Sequence, residues 1–169
     1  MALHNDVFKQ QIWGLFCDDL EACLVAAQIA QFFPQNNILK RDLTFTTALA
    51  VFSVIEFAAG FYAGKDPTTN TVTEFLGKYF TPHFRAFGDK PLAKKFYRVF
   101  RNALSHQWSP KAGGFAIDFR EDWTLRVAEG REDSERIPVL NIPSFFQITK
   151  NLLRDFKADR DKSRQRKRR

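Results

Sequence analysis

Cysteine, histidine and methionine are scarce in this chain of 169 residues, which holds two, three and one of them. Cys17 and Cys23 stand six positions apart on an expected helix, so at about 100° per residue they point roughly 120° away from each other. That spacing suits neither a local bridge nor a metal pair, and nothing in the sequence requires a metal or cofactor. Two free thiols fit a reducing, cytoplasmic setting. A charged-then-apolar leader is missing too, because His4, Asn5, Asp6 and Lys9 interrupt the start. Internal repeats are lacking. The body also lacks an excess of charge, although the net charge is +7. From Lys157 onward eight basic residues face two acids, so the high pI is mostly a property of residues 157–169.

What the chain has in quantity is phenylalanine, 19 residues of it, with 44% hydrophobic residues overall. That excludes global disorder and implies a core of aromatic rings in one domain, residues 1–156, followed by a basic tail expected to be disordered. Helical spacing of apolar residues predicts a first helix from Asn5 or Asp6 to about Phe33 and a second from Asp42 to about Tyr62. The run from Thr46 to Gly64 is almost wholly apolar and near the minimum spanning length. Glu56 at its middle would be costly in lipid, so the reading is a central helix buried on all sides, with no membrane involved. A buried Glu56 requires a cationic or hydrogen-bonding partner. It is one half of an ordinary structural ion pair, or a partly exposed helix position, or else a support that orients a functional side chain from a neighbouring helix.

A short helix is expected near Val72 to Phe80, then a long one from Lys90 or Pro91 to His106. With Arg101 at 0°, Lys94, Ser105, Arg98, Asn102, Lys95 and His106 fall between about 20° and 140°, while Leu92, Ala93, Phe96, Tyr97, Val99, Phe100, Ala103 and Leu104 fill the opposite arc. One face is polar and basic; the other is apolar. After this helix, residues 114–120 and 123–127 alternate apolar with polar and read as a β-hairpin over about 113–128, with a third strand at 137–142. Residues 118–136 hold seven acids against four bases, so this ribbon is unsuited to gripping phosphates. Pro143 and Ser144 start a last helix whose apolar set is Phe145, Phe146, Ile148, Leu152, Leu153 and Phe156. The fold class is therefore mainly α, with a hairpin or small antiparallel ribbon inserted before the last helix.

Arg101-Asn102-Ala103-Leu104-Ser105-His106 is the stretch that carries chemistry. Histidine moves protons near neutral pH, and the arginine fork fits a phosphate and stabilises charge developing on it. Asn102 lies four residues before His106 and can hydrogen-bond its ring or a substrate oxygen. Together they suit metal-free cleavage of RNA, with Lys94, Lys95, Arg98, Ser105 and Lys111 contacting the substrate. One histidine does not easily serve as acid and base in one step, whereas a two-fold dimer would supply two. The same residues also suit a solvated helix face whose C-terminal histidine interacts with the helix dipole. His83 has no partner at ligand spacing and reads as a surface or polar core residue.

The stretch resembles the signature of HEPN domains: arginine, a polar residue that is often Asn, then histidine after a short interval. The resemblance implies a bundle of four to five helices that dimerises across the motif helices. In many members it implies a metal-independent endoribonuclease acting as a toxin or in antiviral defence, in some with a nucleotidyltransferase antitoxin. It transfers catalytic roles only onto Arg101, Asn102 and His106, and the hairpin would be an embellishment. The alternative it leaves is a non-catalytic HEPN-like module that binds RNA, nucleotides or another protein. Glu56 is the candidate support for Arg101 or His106.

Overall fold

The central apolar run forms a 27-residue helix, α2 (Asn37–Ala63), around which the rest is arranged in the computed structural model. The structure describes residues 17–30, 37–84, 90–102, 104, 114–116, 118, 124–129 and 136–168. Before α2 comes α1 (Asp19–Ala30); after it come α3 (Thr69–Tyr79) and α4 (Lys90–Tyr97), which continues into a π-helical turn, Arg98–Asn102. Three strands follow, β1 (Gly114–Ala116), β2 (Leu125–Glu129) and β3 (Arg136–Asn141), and then α5 (Ile142–Arg168). Among the described residues the architecture is mainly helical, with a small sheet before the last helix.

By length and composition Leu43–Ala63 could cross a membrane, but half of that window is buried inside the protein. Val51, Phe52, Ile55, Ala58 and Ala59 are fully buried. Phe52 sits at the centre, with its ring 5.1 Å from Phe145, 5.8 Å from Phe96 and 6.5 Å from Tyr97. One residue of α2 thereby joins α4 and α5. Burying each such phenylalanine stabilises the fold by about 1.5–3 kcal/mol.

Sequence and structure differ at the start of α2. It begins at Asn37 instead of Asp42, because Ile38, Leu39, Lys40 and Arg41 offer no breaker. Its end at Ala63 agrees with the expected Tyr62 to one residue, and the stop is Gly64, with φ at 67°. Lys65 N–H donates to Gly60 C=O at 3.3 Å, the six-to-one bond of a Schellman C-cap. Gly60 stays inside the helix. A Cβ there would meet the Lys65 carbonyl oxygen and Pro67 Cδ at 3.3 Å, so its lack of a side chain lets the turn fold back. The short helix α3 starts at Thr69, three residues before the expected Val72, because Thr68 caps it: its hydroxyl accepts from Thr71 N–H at 3.2 Å.

The hairpin expected over 113–128 does not form. The strand order is β1-β3-β2, with β1 parallel and β2 antiparallel to β3, so the third strand takes the centre. β3 is the longest of the three, and its Leu140 is fully buried. Alternation marks strands but does not choose their partners. Pro138 is accommodated because β1 pairs with β3 only from Val139 onward. The Asn141 N–H points at Thr124 on the β2 side, so by alternation the missing N–H of Pro138 lies on the opposite, unpaired edge. Buried Asn141 ties the chain after β1 to this centre: its Nδ2 donates to Asp118 C=O at 2.9 Å, and its Oδ1 accepts from Asp118 N–H at 3.0 Å.

The last helix departs from expectation at its far end. Phe145, Phe146, Leu152, Leu153 and Phe156 are buried as the spacing implies, but the helix does not dissolve into a disordered tail at residue 157. It continues to Arg168. Lys, Arg and Gln are good helix formers, and cations near a C-terminus interact well with the dipole. The Arg160 guanidinium also lies 5.4 Å over the Phe61 ring and 5.7 Å over Phe156, so α2 holds the first turn beyond the core.

Candidate functional site

The apolar side of the motif helix is seated as its periodicity implies: Ala93, Phe96, Tyr97, Phe100 and Leu104 are buried. Leu92 departs from that set and is 41% exposed. Lys95 and Arg98 are exposed and Lys94 is half-buried, so these three candidate substrate contacts lie on the solvent side. The helix is not regular to its end. Residues Arg98–Asn102 form a π-turn, in which each backbone bond spans five residues and the chain advances by less than 100° per residue. The apolar residues of the turn and beyond it, Phe100 and Leu104, nevertheless stay on the core side. The turn bears Arg101, and Arg101 faces α2 instead of open solvent.

Its partner there is Glu56. Arg101 Nε donates to Glu56 Oε1 at 2.7 Å and Nη2 donates to Oε2 at 3.1 Å, a two-pronged charge-assisted contact. The Tyr97 hydroxyl donates to the same Oε1. The Arg101 and Glu56 side chains are only 21% and 18% exposed, so little water competes for the fork. The Glu56 hydrogen bond raises the Arg101 pKa above its ordinary value against the opposing effect of burial, and Arg101 stays cationic. Burial foremost, and then the bond to Glu56, push the Tyr97 phenol well above the ordinary tyrosine value. Tyr97 is thus a permanent donor at neutral pH.

The structure makes Glu56 half-buried and supplies Arg101 as its cationic partner. Tyr97 was missed by sequence reasoning. The available signal was its place one turn before Arg101 at the edge of the apolar arc, where a tyrosine hydroxyl needs a polar partner.

No family model, curated protein or solved structure matches this chain. The site is therefore read from its own geometry. Of the remaining candidates, Ser105, His106 and Lys111 lie outside the described residues, and Asn102 is described only as the last residue of the π-turn. Among the described residues no group of three His, Cys, Asp or Glu could hold a metal ion. Cys17 and Cys23 are free thiols, Cys17 buried. His83 pairs at 2.9 Å with Asp155, a residue 72 positions later that no local spacing could reveal.

What this arrangement can do is hold a guanidinium in one orientation. Arg101 is fixed from the side by a carboxylate on a buried helix, and that carboxylate is fixed by a second donor from the motif helix itself. Such support confers the precision a side chain needs to stabilise transient charge.

Proposed function

We propose that this chain is a HEPN-like, metal-independent endoribonuclease that works as a cytoplasmic homodimer, with Arg101 and His106 of both copies in one cleft. The observation that carries the proposal is the grip of Glu56 and Tyr97 on Arg101, inside the stretch that resembles the HEPN signature. In the reaction, the RNA 2′-oxygen bonds to the neighbouring phosphorus as the bond to the leaving oxygen breaks. One His106 removes the 2′ proton and its symmetry mate protonates the leaving oxygen. Arg101 stabilises the charge on the crowded phosphoryl group, and Asn102 holds the histidine or a substrate oxygen. Lys94, Lys95, Arg98, Ser105 and Lys111 guide the RNA backbone. A toxin or defence role with a nucleotidyltransferase antitoxin enters through the resemblance alone.

The test is cleavage of RNA in the presence of a chelator. Activity is expected there, and it is expected to vanish in folded Arg101→Ala and His106→Ala proteins. Full activity in those variants, or its loss on chelation, overturns the proposal. A second reading, a non-catalytic RNA-binding module, is favoured by the ordered basic end of α5. It predicts RNA binding without cleavage, surviving His106→Ala and weakened by removing residues 157–169.

A further inference from the structure

A second cationic feature lies away from the motif. The ends of α2 and α3 and the far half of α5 enclose a cleft of about 630 Å³. Four cations line it, Lys78, Arg160, Lys162 and Arg166, against one carboxylate, Asp159. That carboxylate is engaged: Lys78 Nζ stands 3.7 Å from it and the Tyr79 hydroxyl donates to it at 3.2 Å. Two of the four cations lie over rings. Lys78 Nζ is 4.6 Å from the centre of Tyr79 and 5.3 Å from that of Tyr62, while Arg160 covers Phe61 and Phe156. The hydrogen bond to Tyr79 raises the Lys78 pKa, so Lys78 keeps its charge at neutral pH. Cations held along a groove make a positive track for a phosphate backbone, the electrostatic part of single-stranded nucleic-acid binding.

We infer that this cleft binds the phosphate backbone of single-stranded RNA. The ligand class rests on the RNA reading above, but the residues are separate from those of the reaction. Phe61 and Tyr62 follow Glu56 on α2 by about 8–9 Å along the axis and are turned about 140° and 240° around it from Glu56. The cleft is thus a holding site and Arg101 a reacting one. An anionic membrane is the poorer match. Of the large hydrophobic residues exposed among those described (Val25, Ile29, Tyr62 and Leu92), only Tyr62 borders the cleft, so no apolar wedge accompanies the charge. The inference also gives the α5 extension a purpose. No described residue beyond Phe156 is buried, so the helix is carried past the core by residues that line the cleft.

Lys162 and Arg166 are exposed, so Lys162→Gln/Arg166→Gln is expected to fold normally, as circular dichroism would verify. Binding of a fluorescent single-stranded RNA is measured by anisotropy across a salt series, with Arg101→Gln in parallel. Losing two phosphate contacts weakens binding by about 25-fold at 0.1 M salt and makes the log K against log salt slope shallower by about 1.4. Arg101→Gln, checked for folding in the same way, is expected to abolish cleavage while the contribution of the cleft to the salt slope remains. If the cleft double variant keeps the original affinity and slope, the inference falls, even where cleavage stands. If RNA is bound through the cleft but never cleaved, the inference stands and the ribonuclease reading falls. Absence of RNA binding, with or without binding to phosphatidylserine vesicles, overturns the inference.

Discussion

Replacing Glu56 by Gln keeps the shape of the side chain and the acceptor for Tyr97 but deprives Arg101 of its counter-charge. The cost depends on how much water can take the place of the carboxylate. An exposed ion pair contributes about 0–1 kcal/mol, and breaking a fully buried one costs about 3–5 kcal/mol. With side chains 21% and 18% exposed and two good hydrogen bonds, this pair belongs between those limits, nearer the buried one. Glu56→Gln is therefore expected to cost about 2–3 kcal/mol at pH 7, lowering the melting temperature by about 5–10 °C. A double-mutant cycle with Arg101→Met, read by urea denaturation, should return a coupling of about 2 kcal/mol. In the RNA cleavage assay Glu56→Gln should lower kcat by up to about 100-fold with KM little changed, as a misdirected but present arginine would. A stability loss under about 0.5 kcal/mol refutes the burial argument. A full stability loss with unchanged kcat refutes the idea that Glu56 aims Arg101, leaving it a structural pair.

Two further changes probe the supports around this pair and the sheet. Tyr97→Phe removes a donor to a carboxylate and is expected to cost about 1.5–2 kcal/mol at pH 7. Because the folded protein holds the Tyr97 proton above the ordinary tyrosine pKa, that contribution is complete below about pH 10 and declines as pH rises further. The gap between the original protein and Tyr97→Phe should narrow from pH 7 to pH 11 in urea titrations; a constant or widening gap contradicts the assignment. Asn141→Leu strips both partners from the Asp118 backbone and should cost about 2 kcal/mol. Hydrogen exchange should then quicken in β1 while the β2–β3 ladder keeps its protection, and uniform protection in all three strands would contradict that role for Asn141.

The helices were legible because burial repeats with a local period. Phe145, Phe146, Leu152, Leu153 and Phe156 can be read as one face without knowing what they touch. The sheet was legible only as strands: alternation at 114–116 and 125–129 is a property of each segment, whereas the choice of β3 as centre depends on which strand can be buried on both sides. The end of α5 was misread for a related reason. A run of lysine and arginine resembles a solvated tail in isolation, and its first turn beyond the core is held by Arg160 against Phe61, nearly a hundred residues earlier.

The same division between local and distant signals governs the candidate site, and it bears on how much weight the motif carries. The interval from Arg101 to His106 is local, so sequence finds it readily, and so would chance. The Glu56 partnership is distant: 45 residues separate it from Arg101, and it requires α2 and the motif helix to pack in register. Burial of Glu56 could be foreseen from its place in an apolar run, but the identity of its partner could not. The π-turn over Arg98–Asn102 is a departure from 100° per residue that no periodicity count contains, and Arg101 lies within it. A π-turn is not required merely to seat Phe96 and Phe100, which a regular helix would bury equally well. Within the turn Arg101 meets the half-buried Glu56 carboxylate, while Lys95 and Arg98 of the same helix stay in solvent. That separation of one paired, half-buried cation from two exposed ones is what the ribonuclease proposal requires of this helix, with Arg101 on the phosphoryl group and Lys95 and Arg98 on the strand.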